Sequence, residues 1–544
     1  MIKKVFIFGI DSATLDIVMP EIRKGNLENF KRLLEQGSYG KLSSTMIVNS
    51  AVAWTTFMTG KNPGKHGIYD FFKVDSYSPN FISFSDIGHK PFWDILGEMG
   101  KKSFVINVPL TYTVSIKNGV IISGLQTPLD RKDFVYPGDF WEEVKRISPE
   151  YKVFPSTKPE EDLRKHIEEI DVALESQLQL VWYIFKEKEW DLLVYVMQNI
   201  DILQHYLWHY IDHTHSRYKD DGFFSKELLR FYQKIDVFLG RIIDAMDDDM
   251  CLLVFSDHGA GKAEGYFSIN NWLLKNGFLS LKNKPSIIFK KWLMKFGICE
   301  ADLYNFFIAD NPLFRLMRIF NKGKKIGKKN RTFYKMGNID WKKTLAYGMT
   351  INQIFINLKG REAEGIVEQG EVYERVRQDL IERLMKVRHP YKDRPLIDRI
   401  YKKEEIFFGE ELFKLPDLIF TCDNFEINSL SGYKISFPGL FSRADIRTGW
   451  HRSEGLIFCY GKGVNKGFRV SEAYIRDIPA TIMALLGNVL PEDFDGRVLA
   501  ELFVDGDLKI VRKENICTKK EKNKDFSYFN NEQIKKVLES LGYI

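Results

Sequence analysis

The sequence predicts an α/β fold, a parallel sheet sandwiched by helices and carrying a helical insertion that forms a cap. Short, wholly apolar runs recur along the chain, as buried parallel strands require. Amphipathic stretches alternate with them, and this alternation is the pattern of layered α/β proteins. Between about 277 and 340 the texture changes to Lys- and Arg-rich segments around apolar residues.

Taken in order, Val5–Ile10 reads as the first core strand, because Asp11 interrupts the apolar N-terminus long before it reaches signal-peptide length. Asn29–Gln36 and Asp171–Lys186 carry charges between apolar residues at helical spacing. Ser103–Val108, Val120–Ile122, Leu192–Met197 and Cys251–Phe255 read as further buried strands. Ile287–Lys295 and the basic run Lys322–Arg331 give the insertion its helical and loop character, most simply as a solvated cap. Residues 341–390 recover strand and helix character, and Pro416–Phe420 reads as another core strand. After Leu502 the chain turns polar and lysine-rich until a short helix, Glu532–Leu541. The expected organisation is a core in two parts (1–276 and 391–503), an insertion (277–340), a smaller α/β segment (341–390) and a tail (504–544).

At 544 residues and 44% hydrophobic composition the chain can bury a large core. Its 79 basic and 73 acidic residues nearly balance, so composition gives no indication of a nucleic-acid partner. Five scattered cysteines form neither a disulfide framework nor a cysteine zinc site, which fits a reducing, cytoplasmic compartment. No uninterrupted apolar stretch reaches about 20 residues, so no spanning helix is expected, while peripheral membrane contact stays open. Oligomeric state is not encoded in any pattern seen here.

Three strand-like runs end near an aspartate: Val5–Ile10 at Asp11, Leu192–Met197 before Asp201, and Cys251–Phe255 before Asp257. In a parallel sheet the carboxyl ends of the strands share one edge, so three acids converge there. Asp201 and His205 are four apart and share one helix face, a spacing suited to metal coordination. His258 follows Asp257 at a strand end, and His451 precedes the strand-like Leu456–Tyr460. Mixed imidazole and carboxylate donors suit zinc or a similar divalent ion, and six such ligands suffice for two metals with open positions. The remaining histidines, His89, His166, His209, His213, His215 and His389, read as structural or solvated, and His66 as fixing the Gly67 turn. A nucleophile is still needed, and the segment Asn49–Gly60 offers Ser50, Thr55, Thr56 and Thr59 without choosing among them.

Asp11, the Ser50–Gly67 block, Asp201 with His205, Asp257-His258-Gly259 and His451, in this order, resemble the type I phosphodiesterase and nucleotide pyrophosphatase branch of the alkaline phosphatase superfamily. Thr59-Gly60, Pro63 and His66-Gly67-Ile68 resemble its TG…P…HGI signature, and Asp477–Gly487 with Asp495-Gly496 its closing helix and turn. The resemblance implies an alkaline-phosphatase-like sheet and Ser50 as the nucleophile. It also implies one metal held by Asp11, Ser50, Asp257 and His258, and another held by Asp201, His205 and His451. The two divalent ions are expected to be Zn2+, with Mn2+ as the substitute. Val52 and Phe71 stand where nucleotidases of the family commonly carry Pro and Asn, so a phosphate donor is replaced and nucleotide specificity is not implied. No Cys-x-Pro-x-Arg segment is present, which argues against a sulfatase.

The implied activity is metal-dependent hydrolysis of phosphodiester or pyrophosphate bonds in a small phosphate ester through a covalent Ser50 intermediate. Asn49, Trp54 and Phe71 are the candidate substrate contacts, although core packing is the simpler role for Trp54. The competing readings are a transferase passing the phosphoryl group to an alcohol, a phosphomonoesterase, and a binding protein that keeps the fold without turnover. The insertion, following the Asp257-His258 loop, is expected to shape access to the site.

Overall fold

The computed structural model describes residues 2–520 apart from 76, 113–114, 128–132, 286, 288–335, 430–438, 445, 505–509 and 515. Most of the basic insertion and the C-terminal helix expected at Glu532–Leu541 lie outside the described residues.

A nine-stranded sheet forms the main body. Its order is Phe468–Val470, Ser38–Ser43, Glu454–Gly461, Met250–Phe255, Lys4–Ile10, Leu192–Met197, Ser103–Ile106, Gly119–Ile122 and Val135–Tyr136. The five strands from Met250–Phe255 to Gly119–Ile122 are parallel, as the apolar runs predict. The sheet as a whole is mixed, because Glu454–Gly461 runs antiparallel to both its neighbours and Val135–Tyr136 antiparallel to Gly119–Ile122. A buried apolar run specifies burial on both faces but not direction, so the sequence could not separate these cases.

Helices cover both faces. Successive residues of a strand point to opposite sides, and in Lys4–Ile10 the rings of Phe6 and Phe8 meet Phe185 and Phe238 on the long helices Leu163–Glu187 and Phe224–Ala245. On the other face Gly9 lies under Trp54 of the helix Ser50–Thr59, where a Cβ would come within 2.7 Å of the indole. That close approach seats the helix bearing Ser50 directly on the central strand. No helix among the described residues is long and apolar enough to cross a membrane.

A second, antiparallel sheet has the order Ala346–Tyr347, Gln353–Ile356, Leu418–Cys422 and Ile397–Lys402, with the helix Glu371–Leu384 packed beside it. Its apolar cluster is separate from the main core and includes Ile47, Val52 and Tyr69 from the segment around the helix Ser50–Thr59. The strand at 416–420 therefore belongs to this smaller sheet, not to the second part of the core where the sequence put it. The main sheet resumes only at Glu454. The sequence showed a strand there, but which sheet it joins is a tertiary choice that a run of five residues does not carry.

Within the smaller unit Asp417 is fully buried and accepts hydrogen bonds from Ile356 N, both terminal nitrogens of Arg361, Tyr373 Oη and Lys403 Nζ. Burial opposes its ionisation, but the Arg361 and Lys403 charges outweigh it and hold the carboxyl down at about 2.

Candidate active site

Three neighbouring parallel strands deliver the acids to one edge. Asp11 follows Lys4–Ile10, Asp257 and His258 follow Met250–Phe255, and Asp201 lies in the first turn of the helix Asn199–Ile211 just after Leu192–Met197. The helix places Asp201 and His205 on one face, with Oδ2 and Nε2 3.4 Å apart. His451 comes from Gly449–Arg452, which pairs antiparallel with Gly259–Lys262 so that His451 stands opposite Ala260. Gly449 makes this approach possible, because a Cβ there would lie 2.1 Å from Gln204 O.

Ser50 is the first residue of the helix Ser50–Thr59, capped by Asn49, whose Oδ1 accepts from Ala51 N at 2.8 Å. Its Oγ thus sits at the positive end of a helix dipole, a setting that favours an anion. It lies 3.1 Å from His258 Nε2 and 3.5 Å from Asp11 Oδ1. His258 Nε2 is in turn 3.6 Å from Asp11 Oδ1 and 3.4 Å from Asp257 Oδ2. On the other side His451 Nε2 is 3.2 Å from His205 Nε2 and 3.5 Å from Asp201 Oδ1. The His258 and His451 rings stack with centroids 4.0 Å apart, so the two groups adjoin. Ligand atoms of Asp11, Asp257 and His258 lie within 4.8 Å of one another, and so do those of Asp201, His258 and His451. His258 therefore stands between the two groups, where the resemblance assigned it to one.

The three imidazoles share one arrangement. His205 Nδ1 donates to Gly449 O at 2.9 Å, His258 Nδ1 to Gly259 O at 3.1 Å, and His451 Nδ1 to Val48 O at 3.2 Å. Each backbone carbonyl fixes the proton on Nδ1 and leaves the Nε2 lone pair turned to the centre, the orientation that metal-ligating histidines need. Asp257 Oδ2 is buried without a hydrogen-bond partner. Burial, followed by the charges of Asp257 and Asp201, pushes the Asp11 carboxyl well up. Burial also raises Asp257, with Asp201 adding to the rise. Asp201 is likewise buried, but the imidazoles of His205, His451 and His258 outweigh that and hold it low. Buried acids this close to each other call for cations, and the oxygen and nitrogen donors fit divalent ions of the zinc or manganese type.

Trp54 does not face the substrate side. It is fully buried, packs on Phe57 and Phe255, and its Nε1 donates to Asp11 Oδ2 at 3.0 Å, so it orients a ligand from within the core. Asn49 and Phe71 do line a cavity beside the cluster, together with His451. His66 has the structural part expected of it: Nδ1 accepts from Ile68 N at 3.1 Å, so Nε2 carries the proton and donates to Thr56 Oγ1 at 3.0 Å. Burial holds it neutral, its pKa down at about 3. His166, His215 and His389 likewise bond to Thr157 O, Ala263 O and Asp423 Oδ2.

The sequence reading missed Asp70, Asn352, Gln353, Phe425, Asn428 and Trp450, which line the same cavity. Most are isolated polar residues on segments far apart in the chain, without spacing or periodicity to mark them. Trp450 and Asp70, as direct neighbours of His451 and Phe71, were the two within reach.

A comparison with curated proteins gives no match. Among solved structures, human ectonucleotide pyrophosphatase / phosphodiesterase 5 is 13% identical, with 89% of this chain and 95% of that chain covered at a TM-score of 0.48. Phosphonoacetate hydrolase from Sinorhizobium meliloti 1021, in complex with phosphonoformate, is 10% identical, with 89% and 95% covered at a TM-score of 0.52, and shares the fold. The family model for type I phosphodiesterase / nucleotide pyrophosphatase matches residues 5–425, a span that contains the helix Ser50–Thr59 and every candidate ligand except His451. The chain belongs to the type I phosphodiesterase / nucleotide pyrophosphatase family.

Proposed function

We propose that this enzyme hydrolyses phosphodiester or pyrophosphate bonds with Ser50 as a covalent nucleophile and two divalent ions, preferentially zinc, as cofactors. The observation that carries the reading is the position of Ser50 Oγ, at a helix N-terminus and 3.1 Å from a histidine whose proton is fixed on the far nitrogen. Asp11, Asp257 and His258 would hold one ion beside Ser50, and Asp201, His205 and His451 the other. Bound there, such ions supply charge stabilisation for the attacking and departing oxygens and lower the pKa of a coordinated hydroxyl or water. Ser50 Oγ forms a bond to phosphorus as the bond to the leaving oxygen breaks in line, and water then releases the substituted phosphate from the serine. Asn49 caps the helix that aims Ser50, and Trp54 steadies Asp11.

A preference for diesters follows from where the cations near the signature are engaged. A monoester dianion needs more positive charge than a diester monoanion. Lys61 pairs with Asp493 and Lys65 with Asp495, while Arg452 donates to the carbonyls of Phe425, His451 and Lys262. We place the enzyme in the cytoplasm, on the support of cysteines that are scattered through the sequence and of which the four described, Cys251, Cys422, Cys459 and Cys517, are free thiols, Cys251 and Cys459 even though their Sγ atoms lie 3.7 Å apart; fractionation of the native host is the test.

Turnover is tested with bis-nitrophenyl phosphate on the zinc- or manganese-loaded protein. Ser50→Ala is expected to keep its circular-dichroism spectrum and bind metal while losing activity by at least about a thousandfold. A variant with near wild-type rate removes Ser50 from the mechanism.

A further inference from the structure

Beside the acid and histidine cluster, a cavity of about 50 Å³ opens between the nucleophile segment and the smaller sheet. A water molecule needs roughly 10–15 Å³ of such space, so the cavity holds about four. That suits a group of a few heavy atoms. Among the described residues, no lysine or arginine lines it. It does contain Asp70, 7% exposed, whose Oδ1 accepts from Phe71 N at 2.6 Å. No cation pairs with this carboxyl among the described residues. Burial raises it to about 7, because the charged form is costly to keep away from water.

Gln353 is a second acceptor. It is 2% exposed, and its Nε2 reaches Tyr69 O at 3.4 Å while its Oε1 is buried with no hydrogen-bond partner. A carboxylate and an orphaned amide oxygen ask for a ligand rich in donors, and among the described residues no lysine or arginine side chain lines the cavity to compete for them. Five aromatic residues, Phe71, Phe72, Phe420, Phe425 and Trp450, share the lining with aliphatic side chains such as Ile47 and Ile351, and a ring whose face is presented to the cavity would attract a cation. Phe425 is held there by an unusual turn: Asp423, Asn424 and Phe425 all have positive φ, at 46°, 49° and 61°. Arg394 and His389 clamp Asp423, and Asp398 accepts from Asn424 N.

Resting on the phosphodiesterase reading, we infer that this cavity is the subsite for a small protonated amine carried on one ester arm of the substrate, of the aminoethyl phosphodiester class. Asn49 and His451 join the cavity to the reacting centre, so an arm attached to phosphorus at Ser50 extends into it. An ammonium there meets the Asp70 carboxylate and supplies the donor that Gln353 Oε1 lacks. An anionic arm is repelled, and a neutral alkyl arm leaves both acceptors unmet.

The test compares aminoethyl, hydroxyethyl and ethyl nitrophenyl phosphates on the full-length, metal-loaded protein. Calorimetric binding of the same three esters to Ser50→Ala runs alongside. The wild type is expected to favour the aminoethyl ester over the ethyl ester in kcat/KM by at least tenfold, with hydroxyethyl closer to ethyl. In Asp70→Asn the ratio is expected to fall towards one, and Gln353→Leu should lower it several-fold. Equal use of aminoethyl and ethyl esters by the wild type, equal preference for hydroxyethyl, or a ratio that survives in folded Asp70→Asn would overturn the subsite. Should Asp70→Asn fail to fold, the wild-type and Gln353→Leu ratios decide. If no ester is hydrolysed yet Ser50→Ala binds the aminoethyl ester at least tenfold tighter than the ethyl ester, the subsite stands and the hydrolase reading falls. If binding shows no preference either, the subsite falls as well.

Discussion

Asp70 joins stability and recognition in one side chain. Its folded pKa, about 7 through burial, lies above the ordinary carboxylate value of 3.8, so the folded chain keeps a proton that the unfolded chain releases. The stability contribution is fully present below about pH 4 and is lost as pH rises towards about 7. Asp70→Asn does not titrate, so it should melt above the wild type by about 3 °C or more near pH 8. The difference should shrink to nothing near pH 4, and scanning calorimetry across that range checks both arms. Equal melting temperatures at alkaline pH would mean that the carboxyl is solvated or paired after all. The acids and imidazoles that the fold gathers were readable from sequence because each is an Asp or His tied to a strand end or to helical spacing, as at Asp201 and His205. Asp70 and Gln353 were not, since a lone acid and a lone amide carry no pattern until the chain brings them together.

At the level of elements, the smaller sheet depends on its buried ion network. Asp417 is fully buried against Arg361 and Lys403, which are themselves nearly buried. Asp417→Ala takes the carboxylate away from Lys403 and leaves Arg361 with Glu362 as its acidic partner, and the expected loss is about 3 kcal/mol. Urea titration followed by tryptophan fluorescence measures it, and Trp341 in the same apolar cluster is a local reporter. A loss under about 1 kcal/mol would show that water reaches the pair. The strands themselves were legible, including Pro416–Phe420, and so was the helix carrying Asp201. Sheet membership was not legible, because Leu418–Cys422 and Met250–Phe255 look alike as apolar runs. Nor was the full left-handed turn at 423–425, since Asp423 and Asn424 favour positive φ only weakly beside glycine and Phe425 does not signal it at all.

At the scale of the whole molecule, the acids gathered at the sheet edge make folding and metal loading interdependent. Ions that bind the folded chain alone stabilise it in proportion to the logarithm of their concentration. Treatment with a strong chelator should abolish turnover and lower the melting temperature by about 4 °C or more, and added zinc or manganese should restore both. Loss of activity with an unchanged melting curve would count against ligation by Asp11 and Asp257. The engaged lysines and Arg452 lead to a further expectation: kcat/KM for bis-nitrophenyl phosphate should exceed that for nitrophenyl phosphate by roughly tenfold. A clear monoester advantage on the same preparation would make the enzyme a phosphatase. The position of Glu454–Gly461, wedged between Ser38–Ser43 and Met250–Phe255, also bears on how the chain is made. A ribosome needs roughly ten to forty seconds to add the two hundred or so residues that separate the second of those strands from the wedge. For that interval both flanking strands present bare hydrogen-bonding edges to the cell, and His451 has not yet been synthesised. Until that wedge is added, the facing edges of the two flanking strands lack the partner they have in the folded sheet, and such bare edges invite pairing with other chains.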